Sequence, residues 1–278
     1  MSLAIEKEQA MFKYPPIPRE HGAYFMFYMP LVTVLIGLRV DWLLTLVLVL
    51  TVTGGFFGQY TASLMLRGRS GAGDGWWLII YGCVFAMGTV YLLVYGLTDL
   101  FWIGIPFGLL MSWQLARSRF SRKRVDRTLS GEMMAIAGLA LTAPAASVVG
   151  MGELTQTGIG LWGLFVLFFC SSVFYVKMRI EAVRIKAGVG WADRLRLGSG
   201  LLVYHAILLI NLLTFVRLSE MGIFLLIGFI PVFIRALLGF MRLSNQLPNL
   251  KVVGVIESVY TLWFSGWVVG LLWMMDKT

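Results

Sequence analysis

Several polar side chains lie inside or beside long apolar stretches of this chain, and their types suit the binding of a polar ligand. An ionisable group at membrane depth is costly, so it usually faces an internal cavity or a partner group. The residues are His21, Gln59, Arg67, Arg69, Glu132, Arg179, His205, Arg235 and Glu257. All nine are candidates for ligand binding. Because they come from several segments and mostly from the same half of each, we predict that six of them line one polar cavity open to one side of a membrane: His21, Gln59, Glu132, Arg179, His205 and Glu257.

The chemistry available to these residues is anion binding and proton exchange. A guanidinium group can bind a phosphate through two hydrogen bonds, so two of Arg67, Arg69 and Arg179 could hold one anion. Imidazole changes its charge near neutral pH, which would let His21 or His205 exchange protons.

Each of these residues also has a purely structural explanation. Arg235 and Glu257 lie on consecutive apolar segments at similar depth, so we expect them to form an ion pair. Glu132 stands near the start of a helical segment, where a carboxylate stabilises the positive end of the helix dipole. His21 could donate to a backbone carbonyl, and His205 could be a packed, hydrogen-bonded core residue. The sequence leaves these alternatives open.

Motifs of soluble enzymes and metal sites are absent from the sequence, which has no Walker loop, GxSxG or HExxH pattern. Both cysteines, Cys83 and Cys170, fall inside apolar stretches without the spacing of metal ligands. With only two histidines, haem ligation would require His21 and His205 to meet in space. The sequence therefore predicts no metal site and identifies no cofactor.

Nine apolar segments must position these residues, in a chain that is 59% hydrophobic and only 13% charged. A helix of about 20 apolar residues spans a bilayer. The segments are 22–39, 42–66, 76–96, 98–116, 131–151, 157–177, 199–216, 221–241 and 252–274. We predict an all-α, polytopic membrane protein with nine transmembrane helices, in which residues 1–20 form a cytoplasmic tail and 21–278 a single domain. Small side chains crowd segment 131–151, which we expect to be a tightly packed central helix.

Positive charge falls almost entirely on one side of these segments. All but three of the 23 Lys and Arg residues lie in the amino-terminal tail, in alternate connections or in the segment ends that adjoin them, the exceptions being Arg39, Arg217 and Lys277. Lys and Arg in short loops are retained in the cytoplasm, so the amino terminus is predicted inside and the carboxyl terminus outside. Topology and anionic lipid headgroups account for the net charge of +9, and we expect no nucleic-acid partner.

The run Pro18–Tyr24, with sequence PREHGAY, is followed by Pro30 and resembles the opening motif of the YwiC-like bacterial membrane proteins. Later pieces of the chain agree in order with that family: Gly131-Glu132, Ala143–Ala146, Tyr175–Ile180, Arg235–Gly239 and Gly254–Glu257. The resemblance implies a multi-pass protein of the bacterial cytoplasmic membrane, but it implies no activity.

A more distant resemblance concerns architecture. Nine helices with elaborated cytoplasmic connections after the second and sixth segments are similar to the layout of UbiA-type prenyltransferases. That family holds magnesium and a prenyl diphosphate with aspartate-rich motifs at those places. Here Asp74 is the only acid of the first region, and Glu181 and Asp193 in the second form no DxxxD pattern. The departure puts ordinary diphosphate chemistry in doubt.

Our first functional hypothesis is a membrane protein that binds an amphipathic anion or an isoprenoid or quinone-type ligand in a cytoplasm-facing cavity. Membrane lipid is the expected partner. The alternatives are a degenerate prenyltransferase, a small-anion transporter and a respiratory-complex assembly partner. The sequence does not decide whether the protein is an enzyme, nor does it give the oligomeric state.

Overall fold

The computed structural model describes residues 14–18, 21–71, 73–120, 128–185, 188–218, 222–246 and 250–275, and these ranges contain helices but no strand. The helices are α1 (His21–Gly37), α2 (Trp42–Leu66), α3 (Asp74–Val94), α4 (Leu100–Phe120), α5 (Leu129–Leu139), α6 (Thr142–Met151), α7 (Gln156–Ala182), α8 (Trp191–Leu218), α9 (Gly222–Met241) and α10 (Leu250–Met275). Most of the predicted tail 1–20 lies outside the described residues.

Seven helical units of the described chain are long and apolar enough to cross a membrane: α2, α3, α5 with α6, α7, α8, α9 and α10. The predicted all-α, polytopic membrane architecture is therefore confirmed. The apolar parts of α1 and α4, Gly22–Gly37 and Leu100–Trp113, are shorter. The count of nine spans and the orientation of the chain remain predictions.

The segment predicted as one helix over 131–151 is two helices, α5 and α6, separated at Ala140 and Leu141. Pro144 causes the break, because it has no N–H to donate to the carbonyl of Ala140 four residues earlier. The Ala143 N–H donates to that carbonyl instead, at 2.9 Å. The Thr142 hydroxyl donates to the Phe27 carbonyl at 2.7 Å and so ties the break to α1.

Four of the other helices pack around α6. It contacts α1, α2, α4 and α7, and every residue from Thr142 to Val149 is buried. The central position predicted for this small-residue segment is confirmed. The first and last helices of the bundle also pack together, with the Trp273 indole donating to the Ile36 carbonyl at 3.4 Å. The Phe168 and Phe264 rings stack with centroids 4.4 Å apart in the core between α7 and α10.

Helix α3 lies at the edge of the bundle and is held mainly by α2. The two backbones approach closely at Gly54, where a Cβ atom would lie 2.9 Å from the Tyr81 carbonyl oxygen. Most side chains of α3 are exposed or half-buried, and most of them are apolar. In a membrane protein such a surface faces lipid, so the outer face of α3 is the lipid-facing surface of the bundle on this side.

Candidate functional site

Two polar cavities lie at the end of the bundle formed by the carboxyl ends of α2, α4, α7 and α9 and by the starts of α1, α5 and α10. The first, which we call the arginine pocket, lies between α7, α9 and α10 and has a volume of about 350 Å³. Its polar lining consists of Tyr175, Arg179, Arg235, Arg242, Ser244, Glu257 and Tyr260. Arg242 directly follows the last residue of α9, and its N–H still donates to the Leu238 carbonyl at 2.9 Å, so it stands seven residues beyond Arg235 on nearly the same side.

Arg235 is the buried centre of the arginine pocket, with 5% of its surface exposed. Its Nη1 donates to the carboxylate of Glu257 and to the Ser172 hydroxyl at 2.9 Å, and its Nη2 donates to the Ser171 hydroxyl at 2.8 Å. The Ser172 hydroxyl in turn donates to the Glu257 carboxylate. The predicted ion pair between Arg235 and Glu257 is therefore confirmed, and it is fixed from α7 by two serines.

Aromatic rings cover the guanidinium of Arg235 from two helices. Its Cζ lies 5.3 Å from the ring centroid of Tyr175 on α7 and 5.8 Å from that of Tyr260 on α10. The negative face of an aromatic ring attracts a cation, so these contacts add to the ion pair. The Nε of Arg235 is buried and has no hydrogen-bond partner.

The other two arginines of the pocket, Arg179 and Arg242, lie near the carboxyl end of α9. Arg179 donates to the carbonyl of Arg242 at 3.4 Å. Arg194 of α8, which does not line the pocket, donates to the carbonyl of Met241 at 2.7 Å. These carbonyls have no partner within the helix, and cations stabilise the negative end of the helix dipole. The Nε of Arg179 is buried without a partner. Of the described residues that line the pocket, three are arginines and Glu257 is the only carboxylate.

The second cavity, which we call the Gln59 cavity, has a volume of about 480 Å³ and is lined by α1, α2, α4, α5 and one residue of α7. Its polar lining consists of Gln59, Tyr60, Ser63, Arg67, Trp113 and Glu132. Glu132 lies in the first turn of α5, as its structural explanation required, and it also pairs with Lys177 of α7 at 3.2 Å.

The start of the chain closes one side of the Gln59 cavity. The hydroxyl of Tyr24 donates to the Pro18 carbonyl at 2.9 Å, which holds segment 14–18 against α1, and Pro18 lines the cavity together with Gly22. His21 begins α1 beside this wall, but its side chain and residues 19 and 20 lie outside the described part of the chain.

The prediction that six of the candidate residues share one cavity is wrong. Gln59, Arg67 and Glu132 line the Gln59 cavity, whereas Arg179, Arg235 and Glu257 line the arginine pocket. The wall between the two sites is α7. Residues rotate by about 100° per position around a helix, so Lys177 and Arg179 point to nearly opposite sides of α7.

His205 and Arg69 line neither cavity. His205 is buried; its Nδ1 lies 2.7 Å from the Leu201 carbonyl, and its ring packs against Tyr204 and Phe233. This matches the structural explanation for that histidine, although its Nε2 is buried without a partner. Arg69 is exposed beyond the end of α2. The predicted ligand-binding role of the nine residues remains a prediction.

The sequence reasoning missed the serines and tyrosines around Arg235, which are Ser171, Ser172, Tyr175 and Tyr260. Ser172 and Tyr175 precede the predicted Arg179 by seven and four residues, which is the spacing of one helix face. That spacing would have linked them before the structure was known. Within the described residues, no group of three or more His, Cys, Asp or Glu side chains is placed to hold a metal ion.

Comparison with known proteins shows similarity to one family. The curated relative "Uncharacterized protein YwiC" of Bacillus subtilis (strain 168) is 27% identical over 186 residues, which cover 63% of this chain and 72% of the relative. No solved structure matches the chain. The YwiC-like protein family matches residues 17–147, from the segment before α1 to the middle of α6. The resemblance to the YwiC-like family that the opening motif predicted is therefore confirmed.

Proposed function

We propose that this protein resides in the bacterial cytoplasmic membrane and binds the headgroup of an amphipathic anion in the arginine pocket. The observation that supports this most directly is the charge of the pocket, in which three arginines face one carboxylate. Arg235 and Glu257 neutralise each other, so the positive charges of Arg179 and Arg242 remain to be balanced. A phosphate-type group suits them, because guanidinium groups bind phosphate oxygens with paired hydrogen bonds.

The hydrogen bonding of Arg179 supports the same assignment. Its Nη1 makes one long bond, 3.4 Å, to the Arg242 carbonyl, and its buried Nε makes none. A buried donor without a partner is costly, so an anion that accepts from this guanidinium would gain more than it would at the protein surface. Arg242 is exposed at the rim of the pocket and would bind the same headgroup from the other side.

The apolar edge of the arginine pocket supports an amphipathic ligand over a free ion. Leu238 and Ile256 line the pocket, and they remain 45% and 41% exposed on the outer surfaces of α9 and α10. In a bilayer these surfaces contact acyl chains. A lipid-like molecule could therefore place its headgroup between the arginines while its tail stays between Leu238 and the surrounding lipid.

Binding of a defined lipid to the detergent-solubilised full chain tests the proposal. Native mass spectrometry with added phosphatidylglycerol and, separately, phosphatidylcholine should show retention of the anionic lipid in preference to the zwitterionic one. Arg179→Gln and Arg242→Gln should each weaken retention by about tenfold, since a hydrogen bond to a charged group contributes about 1.5–3 kcal/mol. Arg196→Gln is the matched control, because Arg196 is exposed, pairs with Asp193 and does not line the pocket.

Two outcomes would overturn the proposal or redirect it. Equal retention of both lipids, or equal losses in Arg196→Gln and Arg179→Gln, would mean that the pocket does not recognise the anion. Competition by inorganic phosphate alone at the affinity of the lipid would favour a small anion, and uptake in proteoliposomes would then test the transporter alternative. The prenyltransferase alternative requires turnover of a prenyl diphosphate that depends on Arg179.

A further inference from the structure

The Gln59 cavity differs from the arginine pocket in the kind of polar group it presents. Both charged residues of its lining are already engaged: Glu132 pairs with Lys177 at 3.2 Å, and Arg67, which is exposed at the end of α2, also has a partner. Within the described residues, the side chains of Gln59, Tyr60 and Ser63 line the cavity without a hydrogen-bond partner. An amide and two hydroxyls on one side of α2 can donate and accept without adding charge. The cavity therefore suits an uncharged group that forms hydrogen bonds.

An apolar chamber of about 370 Å³ lies farther from this end of the bundle, between α2, α3, α4 and the break between α5 and α6. It opens on the bundle surface, where Phe85, Gly104 and Gly108 are exposed. Its polar residues are three threonines whose hydroxyls are all engaged by backbone carbonyls. Thr51 donates to Val47, Thr89 to Phe85 and Thr142 to Phe27, each at 2.7 Å. These threonines leave no free donor facing the space, so its surface is suited to hydrocarbon alone.

Few side chains separate the Gln59 cavity from the apolar chamber. Phe56 lines the cavity and Phe27 lines the chamber, and their rings stack with centroids 4.5 Å apart. Met111 lines the cavity, and its terminal methyl lies 3.4 Å from where a Cβ would stand on Gly138, which lines the chamber. Phe56 and Met111 therefore stand at the boundary between the two spaces, and methionine is the most adaptable apolar side chain.

We propose that the Gln59 cavity and the apolar chamber together form a binding site for a lipid-soluble quinone. The quinone head would lie in the cavity, where its two carbonyl oxygens accept hydrogen bonds from Gln59 and from the hydroxyl of Tyr60 or Ser63. Its isoprenoid chain would enter the chamber past Phe56. Both spaces have the size of ligand sites, which are about 300–1,000 Å³. Flat aromatic side chains, Phe56 and Trp113, line the cavity and match the quinone ring.

This second site does not depend on the proposed function of the arginine pocket. Apart from Val173 of α7, every residue that lines the cavity or the chamber lies within residues 17–147, which match the YwiC-like family. Arg179, Arg235 and Glu257, in contrast, lie outside that match. The two sites can therefore be tested with separate variants.

The test is equilibrium binding of three probes to the full chain in detergent. The probes are decylubiquinone, the same quinone ring without its decyl chain, and decanol as the chain without the ring. We expect decylubiquinone to bind most tightly and decanol most weakly. Gln59→Leu should weaken both quinones by about tenfold, because it leaves a ligand carbonyl without its donor.

Filling the chamber should separate the role of the chain from that of the ring. Gly104 and Gly108 line the chamber, and a Cβ on either meets no atom within 4 Å, so leucine can enter the space without moving the backbone. Gly108→Leu, with Gly104→Leu as a second variant in case the first folds poorly, should reduce decylubiquinone binding to that of the bare ring and leave the bare ring unchanged. Gly160→Leu is the matched control, because Gly160 is exposed on α7 and also has open space.

The same experiment shows how the inference would fail. Equal binding of decanol and decylubiquinone would mean that the molecule takes up hydrocarbon without recognising the quinone. If Gln59→Leu, both chamber variants and Gly160→Leu all bind the probes as the unmodified chain does, the quinone lies elsewhere on the protein. Arg179→Gln should leave quinone binding unchanged, so failure of this proposal is distinguishable from failure of lipid binding in the arginine pocket.

Discussion

Replacing Glu257 by glutamine tests how the arginine pocket is stabilised, since it removes one charge and keeps the shape of the side chain. Arg235 is only 5% exposed, so it cannot reach bulk water when its counter-charge is lost. Two serines and two tyrosine rings would remain around the guanidinium. None of these is negatively charged, and the arginine would therefore be buried without compensation.

Breaking a buried ion pair by removing one partner costs about 3–5 kcal/mol. The lower end applies here, because the Glu257 side chain is 22% exposed and the serines keep part of the hydrogen bonding. Arg235→Gln should cost less, about 1–3 kcal/mol, because solvent and Arg179 can still compensate the remaining carboxylate. Once Glu257→Gln is present, Arg235→Gln should add little, because the second change removes the uncompensated charge.

Thermal unfolding of the detergent-solubilised chain measures these differences. A loss of about 3 kcal/mol corresponds to roughly 6–12 °C in Tm for a chain of this size class. Glu153→Gln is the control for the same chemical change on an exposed carboxylate, and it should shift Tm by less than about 2 °C. If the losses of Glu257→Gln and Arg235→Gln simply add in the double variant, the two residues are not coupled and the reasoning is refuted.

Three further predictions follow from the fold. In a chain without its native cysteines, cysteines introduced at positions 122 and 153 should be labelled from opposite sides of the membrane, and labelling from one side would contradict the nine-span topology. Gly54→Ala should destabilise the chain by about 1–3 kcal/mol in thermal unfolding, because its Cβ would meet the α3 backbone, whereas Gly82→Ala, which meets open space, should not. Glu132→Gln should cost no more than about 1 kcal/mol, because its ion pair is partly exposed; a loss as large as that of Glu257→Gln would contradict this.

The membrane architecture and the buried ion pair were both accessible from the sequence. Apolar segments of membrane length identify helices without any knowledge of their neighbours. Arg235 and Glu257 were predicted to pair because consecutive helices joined by a short connection lie close together, and both residues stood at similar depth. The depth of a residue follows from its distance along the sequence to the end of its apolar segment. For two neighbouring helices, that distance was sufficient to predict the ion pair.

The division into two cavities was not accessible, because it depends on the direction in which each side chain points around its helix. A helix that is apolar on every side gives no signal of which face meets which neighbour. His205 shows the consequence: it was predicted to line the shared cavity, yet it faces Phe233 and its own helix and lines neither cavity. The break at Ala140 was indicated by Pro144, but proline alone does not distinguish a kink from two separate helices.

Helix α7 explains why two sites with different charge can lie side by side at the same end of the bundle. On one side it presents Lys177, which neutralises Glu132 beside the uncharged Gln59, Tyr60 and Ser63 of the Gln59 cavity. On the other side it presents Arg179, together with the serines that bind the Arg235–Glu257 pair, and the arginine pocket keeps its excess of positive charge. Because these side chains point in nearly opposite directions from one rigid helix, a substitution on one face leaves the electrostatics of the other largely intact. The loss of anion binding in Arg179→Gln and the loss of quinone binding in Gln59→Leu therefore report on separate sites.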